Sequence, residues 1–334
     1  LIADDNSALL TDILKDVSRS FYLTLRALPR PVRVQIGLAY LLARATDTIA
    51  DTDLLPVDQR LDALRQLGRR ITQGPVARAP AITPFIQQQK SSVERALLLR
   101  VEDCLSLLES FDAEDRNDVI SVLQTITDGQ QQDIEVFCAA APGEVRALRA
   151  FADLDAYTYL VAGCVGEFWT RITRRHLFPE TPLDIKGLLA LSVRFGKGLQ
   201  LVNILRDIPS DVRIGRCYLP ADQLEACGLK PADMLDKRNF ANLRPVYLRL
   251  VDIAEDCLRD GWRYTNALPG GQARLRLACA WPLQIGFDTL HLLRSVNPLD
   301  PATRPKVSRS RVKTLILKSV LLYPFPRVWK RMLP

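Results

Sequence analysis

The sequence predicts a single all-α domain, one helical bundle. Three observations carry that prediction. Apolar residues recur at helical spacing through most of the 334 residues, strand-type alternation is almost missing, and the prolines at 29, 31, 56, 75, 80, 84, 142, 179, 182, 209, 220, 231, 269, 298, 301 and 305 fall mainly between the periodic segments. Proline lacks a backbone donor and clashes with the preceding turn, so it marks helix ends. At 48% hydrophobic residues the chain can bury one large core, and no repeat, low-complexity tract or clear linker interrupts it.

Taken in order, helices are predicted over residues 6–16, 18–27, 31–52, 57–73, 92–110, 115–139, 144–173, 185–207, 239–264 and 270–293. The pattern Asp-x-x-x-Asp occurs on several of them, and its surroundings separate the instances. Asp252/Asp256 belongs to a polar stripe with Glu255 and Arg259, opposite Leu250, Val251, Ala254 and Leu258, which is a solvated helix face. Asp12/Asp16 and Asp58/Asp62 lie on short amphipathic segments with lysine or arginine nearby and read the same way. The helix at 31–52 differs: Tyr40, Arg44, Asp47 and Asp51 form a polar stripe among Ile36, Leu38, Ala39, Leu41, Leu42 and Ala43. The helix at 185–207 repeats it with Gln200, Asn203, Asp207 and Asp211 among Leu199, Leu201, Val202, Ile204 and Leu205.

Carboxylates four residues apart stand one above the other on a helix and repel unless a cation joins them. Burying such charges without compensation is costly. Two acidic stripes are compensated by shared metal ions or by salt bridges. Oxygen-only ligands suit Mg²⁺, with Mn²⁺ as a substitute, and Mg²⁺ completes its shell with water and phosphate oxygens, which points to a diphosphate substrate.

The seven cysteines are scattered singly without a Cys-x-x-Cys pair, as expected of reduced core residues in a cytoplasmic protein. With only His176 and His291, a zinc site or a histidine relay is not expected. No apolar leader and no uncharged run of transmembrane length is seen, and the leucine at position 1 leads us to expect further residues upstream. The net charge of +7 comes from residues 303–334, which hold nine Lys/Arg and no Asp/Glu; the remainder balances 36 against 38, or −2. Mixed with Leu321, Leu322, Tyr323, Phe325, Val328, Trp329 and Leu333, that tail suits peripheral contact with an anionic membrane surface, or else packs on the bundle or is disordered. Nucleic acid is not an expected partner, because the body is not basic and carries no recognition module.

Five motifs in order give a family resemblance. Ser18-Arg-Ser-Phe21, Arg44-Ala-Thr-Asp-Thr-Ile-Ala-Asp51, Asp128-Gly-Gln-Gln-Gln-Asp133, Tyr157 to Gly166, and Gln200 to Asp211 with Gly215-Arg-Cys-Tyr-Leu-Pro220 resemble the squalene and phytoene synthases, the head-to-head trans-prenyl transferases. The resemblance implies a single-domain isoprenoid-synthase-like helical bundle around a central apolar cavity, with 1–302 as the catalytic domain and 303–334 as the tail. Cys279-Ala-Trp-Pro-Leu-Gln284 and Lys306-Val-Ser-Arg309 look like the squalene branch, of bacterial soluble type. The second acidic motif, Asp207-Ile-Pro-Ser-Asp211, lacks a penultimate acidic residue common in the family but keeps both ligand positions.

The resemblance implies a Mg²⁺-dependent coupling of two farnesyl diphosphates to presqualene diphosphate, followed by NADPH-dependent rearrangement to squalene. Asp47, Asp51, Asp207 and Asp211, with Asn203, are the expected metal ligands. Ser18, Arg19, Ser20, Phe21, Tyr40, Arg44, Gln200, Asn203, Arg206 and Tyr218 are expected to contact substrate, and Tyr157 or the leaving diphosphate to remove the proton. Phe21 and Tyr40 are placed by the same reading to face a cation, although packing explains Phe21 equally well. Arg44 is alternatively a structural partner of Asp47 or Asp51. NADPH is assigned to Arg19, Lys306 and Arg309, since Gly196-Lys-Gly198 lies within a predicted helix and no Rossmann turn is present. The basic residues serve equally as membrane contacts. Phytoene, dehydrosqualene or hydroxysqualene synthases share the first half-reaction, and a non-enzymatic lipid-binding or assembly protein of this fold is the alternative of another kind. Oligomeric state and chain-length preference are not read from the sequence.

Overall fold

The computed structural model describes residues 13–18, 22–52, 54–77, 80–138, 143–303 and 305–333, without the Ser18 side chain. The fold is all-α, and among the described residues the only strands are a pair of two-residue segments. By contact the chain divides into two compact units, Leu1–Glu135 with Phe168–Glu180, and Val136–Glu167 with Thr181–Pro334.

In the first unit the described helices are α1 (Leu14–Ser18), α2 (Tyr22–Ala27), α3 (Arg30–Asp51), α4 (Val57–Gln73), α5 (Thr83–Gln88), α6 (Ser92–Leu99), α7 (Val101–Glu109) and α8 (Ala113–Phe137, as far as Glu135). Pro31 sits in the first turn of α3, where its missing donor costs nothing. From there Val32, Ile36, Leu38, Leu41, Leu42, Ala45 and Ile49 are buried, so α3 is the core helix of this unit. Its far end is held by buried Arg60 on α4, whose Nη1 donates to the Ala50 carbonyl at 3.0 Å; a cation suits the negative end of a helix dipole. Buried Asp115 on α8 ties two other segments down. It accepts from Gln35 of α3 at 2.9 Å and from Arg175 at 2.6 Å, and stands 2.8 Å from His176 Nε2. Although burial opposes ionisation, the hydrogen bonds from His176, Gln35 and Arg175 hold the Asp115 carboxyl below the ordinary range.

The second unit contains α9 (Phe151–Thr158), a five-residue π turn at Tyr159–Gly163, the start of α10 (Cys164–Leu177), α11 (Ile185–Arg213), α12 (Ala221–Glu225), α13 (Phe240–Ala267), α14 (Ala273–Arg294), α15 (Arg309–Leu322) and α16 (Pro326–Lys330). Its core gathers Leu201, Ile204, Leu205 and Ile208 of α11, Leu250, Val251, Ala254 and Leu258 of α13, and Leu283 and Leu290 of α14. The Leu250–Leu258 face predicted opposite Asp252 and Asp256 is therefore the buried one. Two glycines set how closely α11 lies to the π segment. A Cβ on Gly166 would stand 2.1 Å from the Ser192 carbonyl oxygen, and one on Gly196 would stand 2.2 Å from that of Ala162, so these backbones touch directly. Strands β1 (Arg146–Ala147) and β2 (Arg216–Cys217) pair in parallel, Arg146 against Arg216.

Several predicted boundaries move. The helix expected from 144 begins at Phe151, because residues 146–147 pair with β2 instead. The 92–110 segment breaks at Arg100 into α6 and α7. Pro209 does not end α11, which runs on to Arg213; the proline sits one turn from the end, where few hydrogen bonds are at stake. Helices α5, α12, α15 and α16 were not predicted. Among the described residues α11 is the one helix long and apolar enough to cross a membrane, by length and composition. Its apolar side lies in the core of the unit, which accounts for that composition.

All seven cysteines are unbridged, and burial pushes the Cys104, Cys164 and Cys217 thiols up to about 12, away from thiolate chemistry. The basic tail is folded onto the second unit. Buried Trp329 packs at 5.1 Å from Trp262 and 4.9 Å from Tyr323, under the Arg276 guanidinium at 5.5 Å, and its Nε1 donates to Asn266 at 3.0 Å.

Candidate active site

Each unit carries one of the acidic stripes. On α3 the residues around the stripe are buried, while Tyr40, Arg44, Asp47 and Asp51 retain solvent access. The polar face thus emerges from a helix otherwise committed to the core, as its periodicity predicts. Arg44 is a fork: one nitrogen is ion-paired with Asp47, and the other donates to Glu94 Oε1 at 2.5 Å. Burial and the neighbouring Asp51 carboxylate push Asp47 up to about 7, against the lowering pull of Arg44. The Asp47 side chain is still 35% exposed, so solvent reaches it. Tyr40 donates to the Val17 carbonyl at 3.4 Å.

Glu94 was not among the residues singled out from the sequence. A signal was available, because Ser91-x-x-Glu94 is a capping-box spacing at the start of α6. Ser91 does cap α6, accepting from the Glu94 amide, but its own amide donates to Gln89 at 3.0 Å, and the Glu94 side chain takes Arg44. On α8, Gln130 and Asp133 of the third motif are both buried, and Gln130 Oε1 has no protein hydrogen-bond partner among the described residues.

In the second unit, Asn203, Asp207 and Asp211 lie on successive turns of α11, on the side away from buried Leu201, Val202, Ile204, Leu205, Ile208 and Val212. Arg206 grips its neighbour Asp207 with both hands, Nε to Oδ1 at 2.9 Å and Nη2 to Oδ2 at 2.5 Å. That hydrogen bonding raises the Arg206 pKa further, so it is a permanent cation here. α11 ends at Ile214, and Gly215 turns the chain back with φ +85°, a left-handed conformation that glycine adopts without strain. The returning segment, tied to β1 by Arg146 N donating to Gly215 O at 3.0 Å, delivers Tyr218.

Tyr218 lies against Tyr157. The two rings stack with centroids 4.9 Å apart, their hydroxyls are 3.4 Å apart, and Phe137 meets Tyr218 edge-on at 5.0 Å. Tyr157 sits near the end of α9, which is clamped to α11 by the Asp155–Lys197 ion pair, another contact not foreseen from the sequence. The π turn follows at once. In it the Cys164 thiol donates to the Leu160 carbonyl at 3.1 Å, serving an acceptor that the widened turn leaves without its α-helical partner.

Three pairs of residues singled out from the sequence stand in contact within their units: Arg44 with Asp47, which was expected as one alternative, and Arg206 with Asp207 and Tyr157 with Tyr218, which were not foreseen as pairs. The Ser18 side chain, Arg19, Ser20 and Phe21 lie outside the described residues. Lys306 and Arg309, assigned to NADPH, stand exposed at the approach to α15, and Cys279 and Gln284 are buried members of α14. Among the described residues no group of three or more His, Cys, Asp or Glu side chains is gathered as a metal cage. The donor set on each stripe still suits a hard cation shared with phosphate, since it is all oxygen and contains two carboxylates one turn apart.

The chain is similar to proteins already known. A bifunctional lycopene cyclase/phytoene synthase of Blakeslea trispora is 26% identical over 326 residues, covering 96% of this chain and 50% of that one. A presqualene diphosphate synthase of Rhodopseudomonas palustris is 33% identical over 214 residues, covering 64% of this chain and 62% of its own. The chain thus spans between half and under two thirds of the length of these relatives. Among solved structures, TcSQS in complex with a ligand superposes with a TM-score of 0.77 at 20% identity, over 98% of this chain and 92% of that one, which establishes the shared fold. Residues 14–311, a span that holds both acidic stripes and the tyrosine pair, match the squalene/phytoene synthase family, and the chain belongs to that family.

Proposed function

We propose that this chain joins two molecules of farnesyl diphosphate head to head, giving presqualene diphosphate. The single observation that carries the proposal is the recurrence of one device on two core helices: paired aspartates with an arginine in contact, Asp47/Asp51 with Arg44 and Asp207/Asp211 with Arg206. In this reading Asp47, Asp51, Asn203, Asp207 and Asp211 hold Mg²⁺, or Mn²⁺ in its place. Such ions, when bound, would neutralise the diphosphate and ease its departure from the allylic carbon.

The protein's own groups do the rest. Arg44 keeps Glu94 as a partner when Asp47 turns to a cation, so its charge stays fixed beside the site. Arg206, released from Asp207, donates its fork to phosphate oxygens. Gln200 and Asn203 extend the polar face along α11. Tyr157, with Tyr218 at hydroxyl contact, takes the proton lost as the cyclopropane closes, and the departing diphosphate is the competing base. The family includes squalene and phytoene synthases, and both a presqualene diphosphate synthase and a phytoene synthase are among the relatives.

A reductive second half, with NADPH converting presqualene diphosphate to squalene, rests on two short segments. Of these Cys279–Gln284 is core packing and Lys306–Arg309 is exposed, so we derive no step through NADPH. Incubation with farnesyl or geranylgeranyl diphosphate and Mg²⁺, with and without NADPH, tests the reading by product analysis. Presqualene diphosphate without NADPH is expected, and its conversion to squalene on adding NADPH would extend the activity. A product indifferent to NADPH and free of diphosphate, or formed from geranylgeranyl diphosphate, assigns the chain to the phytoene or dehydrosqualene side. Asp47→Asn and Asp207→Asn are each expected to abolish diphosphate release while the far-ultraviolet circular dichroism is unchanged. Full activity in either variant overturns the ligand assignment.

A further inference from the structure

Helix α15 has two faces with opposite destinations. Inward, Leu315 and Ser319 are buried, Ser319 Oγ accepts from Trp281 Nε1 at 2.9 Å, and Arg311 is ion-paired with Asp288 at 2.6 Å. At 100° per residue the opposite side carries Leu317 and Leu321, stacked one turn apart, with Val320 and Lys313 beside them and Lys318 on one flank. Leu317 and Leu321 are each 61% exposed. Beyond the helix end Phe325 is 58% and Val328 46% exposed, among exposed Arg327, Lys330 and Arg331.

Scattered exposed apolar residues are ordinary on protein surfaces. Here three share one face of α15, two more follow within the next seven residues, and the exposed charged residues among them are all cations, since residues 303–334 contain no Asp or Glu. We propose that the outward face of α15 and α16 docks on an anionic lipid surface, with Leu317, Leu321 and Phe325 entering between head groups while Lys313, Lys318, Arg327 and Lys330 meet lipid phosphates. The combination selects this partner. Nucleic acid would satisfy the cations and leave the apolar strip in water, and a second copy of the face would set its cations against their own kind. A lipid boundary satisfies both at once, because long basic side chains reach up to phosphates from an apolar strip below. The inward anchors, Trp329 above all, hold the face in place, so docking needs no folding of the tail.

The proposal does not depend on catalysis and is tested by binding alone. The whole chain is sedimented with vesicles of phosphatidylcholine, alone or with about one third phosphatidylglycerol, at low and high salt. Binding is expected to the anionic vesicles only and to weaken with salt. Lys313→Gln with Lys318→Gln should lower the partition about 25-fold, each lysine near the surface being worth about fivefold. Leu317→Ser with Leu321→Ser should lower it by at least about tenfold. Both pairs are exposed, so the thermal midpoint should not move. Equal binding to neutral vesicles, no binding to any, or undiminished binding by both variants overturns the proposal. So does a dimer in light scattering that Leu317→Ser with Leu321→Ser converts to a monomer, which would assign the face to a second copy of the chain.

Discussion

Replacing Gly166 by alanine tests whether backbone contact between the start of α10, just after the π turn, and α11 sets the geometry of the second unit. The added Cβ would stand 2.1 Å from the Ser192 oxygen and 2.5 Å from the Ser192 carbon. An ordinary contact needs about 3.4 Å, so the two backbones must separate by roughly 1.3 Å, and a carbonyl inside a helix cannot rotate aside as a side chain would. Overpacking of this kind costs about 2–3 kcal/mol. For a unit of this size the melting temperature should fall by about 5–10 °C. The separation also moves Tyr157, on the helix just before the π turn, relative to the aspartates of α11. A displacement near 1 Å is enough to cost about a hundredfold in rate. Gly271 is the control: a Cβ there meets nothing within 4 Å, so Gly271→Ala should leave both readings unchanged. The assays are denaturant unfolding and diphosphate release. A Gly166→Ala protein with the unfolding midpoint and turnover of the parent refutes the argument.

Other consequences are simpler to state. Asp47 binds its proton more tightly folded than unfolded, so its favourable share of stability is complete below about pH 4 and is lost as pH rises through about 7. In chelator, Asp47→Asn should therefore gain stability relative to the parent between about pH 5 and 8, and a constant difference across that range contradicts the assignment. Tyr157→Phe should reduce turnover far more than Tyr218→Phe. The latter keeps the ring stack and loses the 3.4 Å hydroxyl contact with Tyr157, worth about tenfold at most, so equal losses in kcat would show that the two phenols act as one unit. Trp329→Ala should cost about 3–5 kcal/mol, read as protease susceptibility of the C-terminal helices before the core melts.

Much of this was legible in the sequence because the signals are periodic. The stripes on α3 and α11 are visible as polar residues interrupting aliphatic runs, and the helices present them as that spacing requires. What stayed hidden depends on partners distant in sequence. Glu94 reads locally as a capping residue, and only the fold brings Arg44 to it. The Asp155–Lys197 clamp joins two helices whose separate patterns say nothing of each other. β1 and β2 are too short to show alternation, so the start of α9 was placed seven residues early. Cys279–Gln284 was read as a squalene-branch segment, and its Cys279, Ala280, Leu283 and Gln284 are buried on α14, where apolar periodicity and a motif look alike. Packing of the tail on the bundle was one of the alternatives left open, and the sequence did not decide it because the anchoring of Trp329 comes from Trp262, Asn266 and Arg276 on other helices.

The π turn at Tyr159–Gly163 amounts to one residue inserted in an otherwise continuous helix. Each helical residue turns the chain by about 100°, so the extra one sets the bearing of everything on its N-terminal side. Deleting a single residue within 159–163 would let the segment relax to an ordinary α-helix and swing Tyr157 about a quarter-turn away from Tyr218. In a lineage of such chains this stretch would tolerate substitution far better than a change of length, since only a change of length would re-aim the phenol.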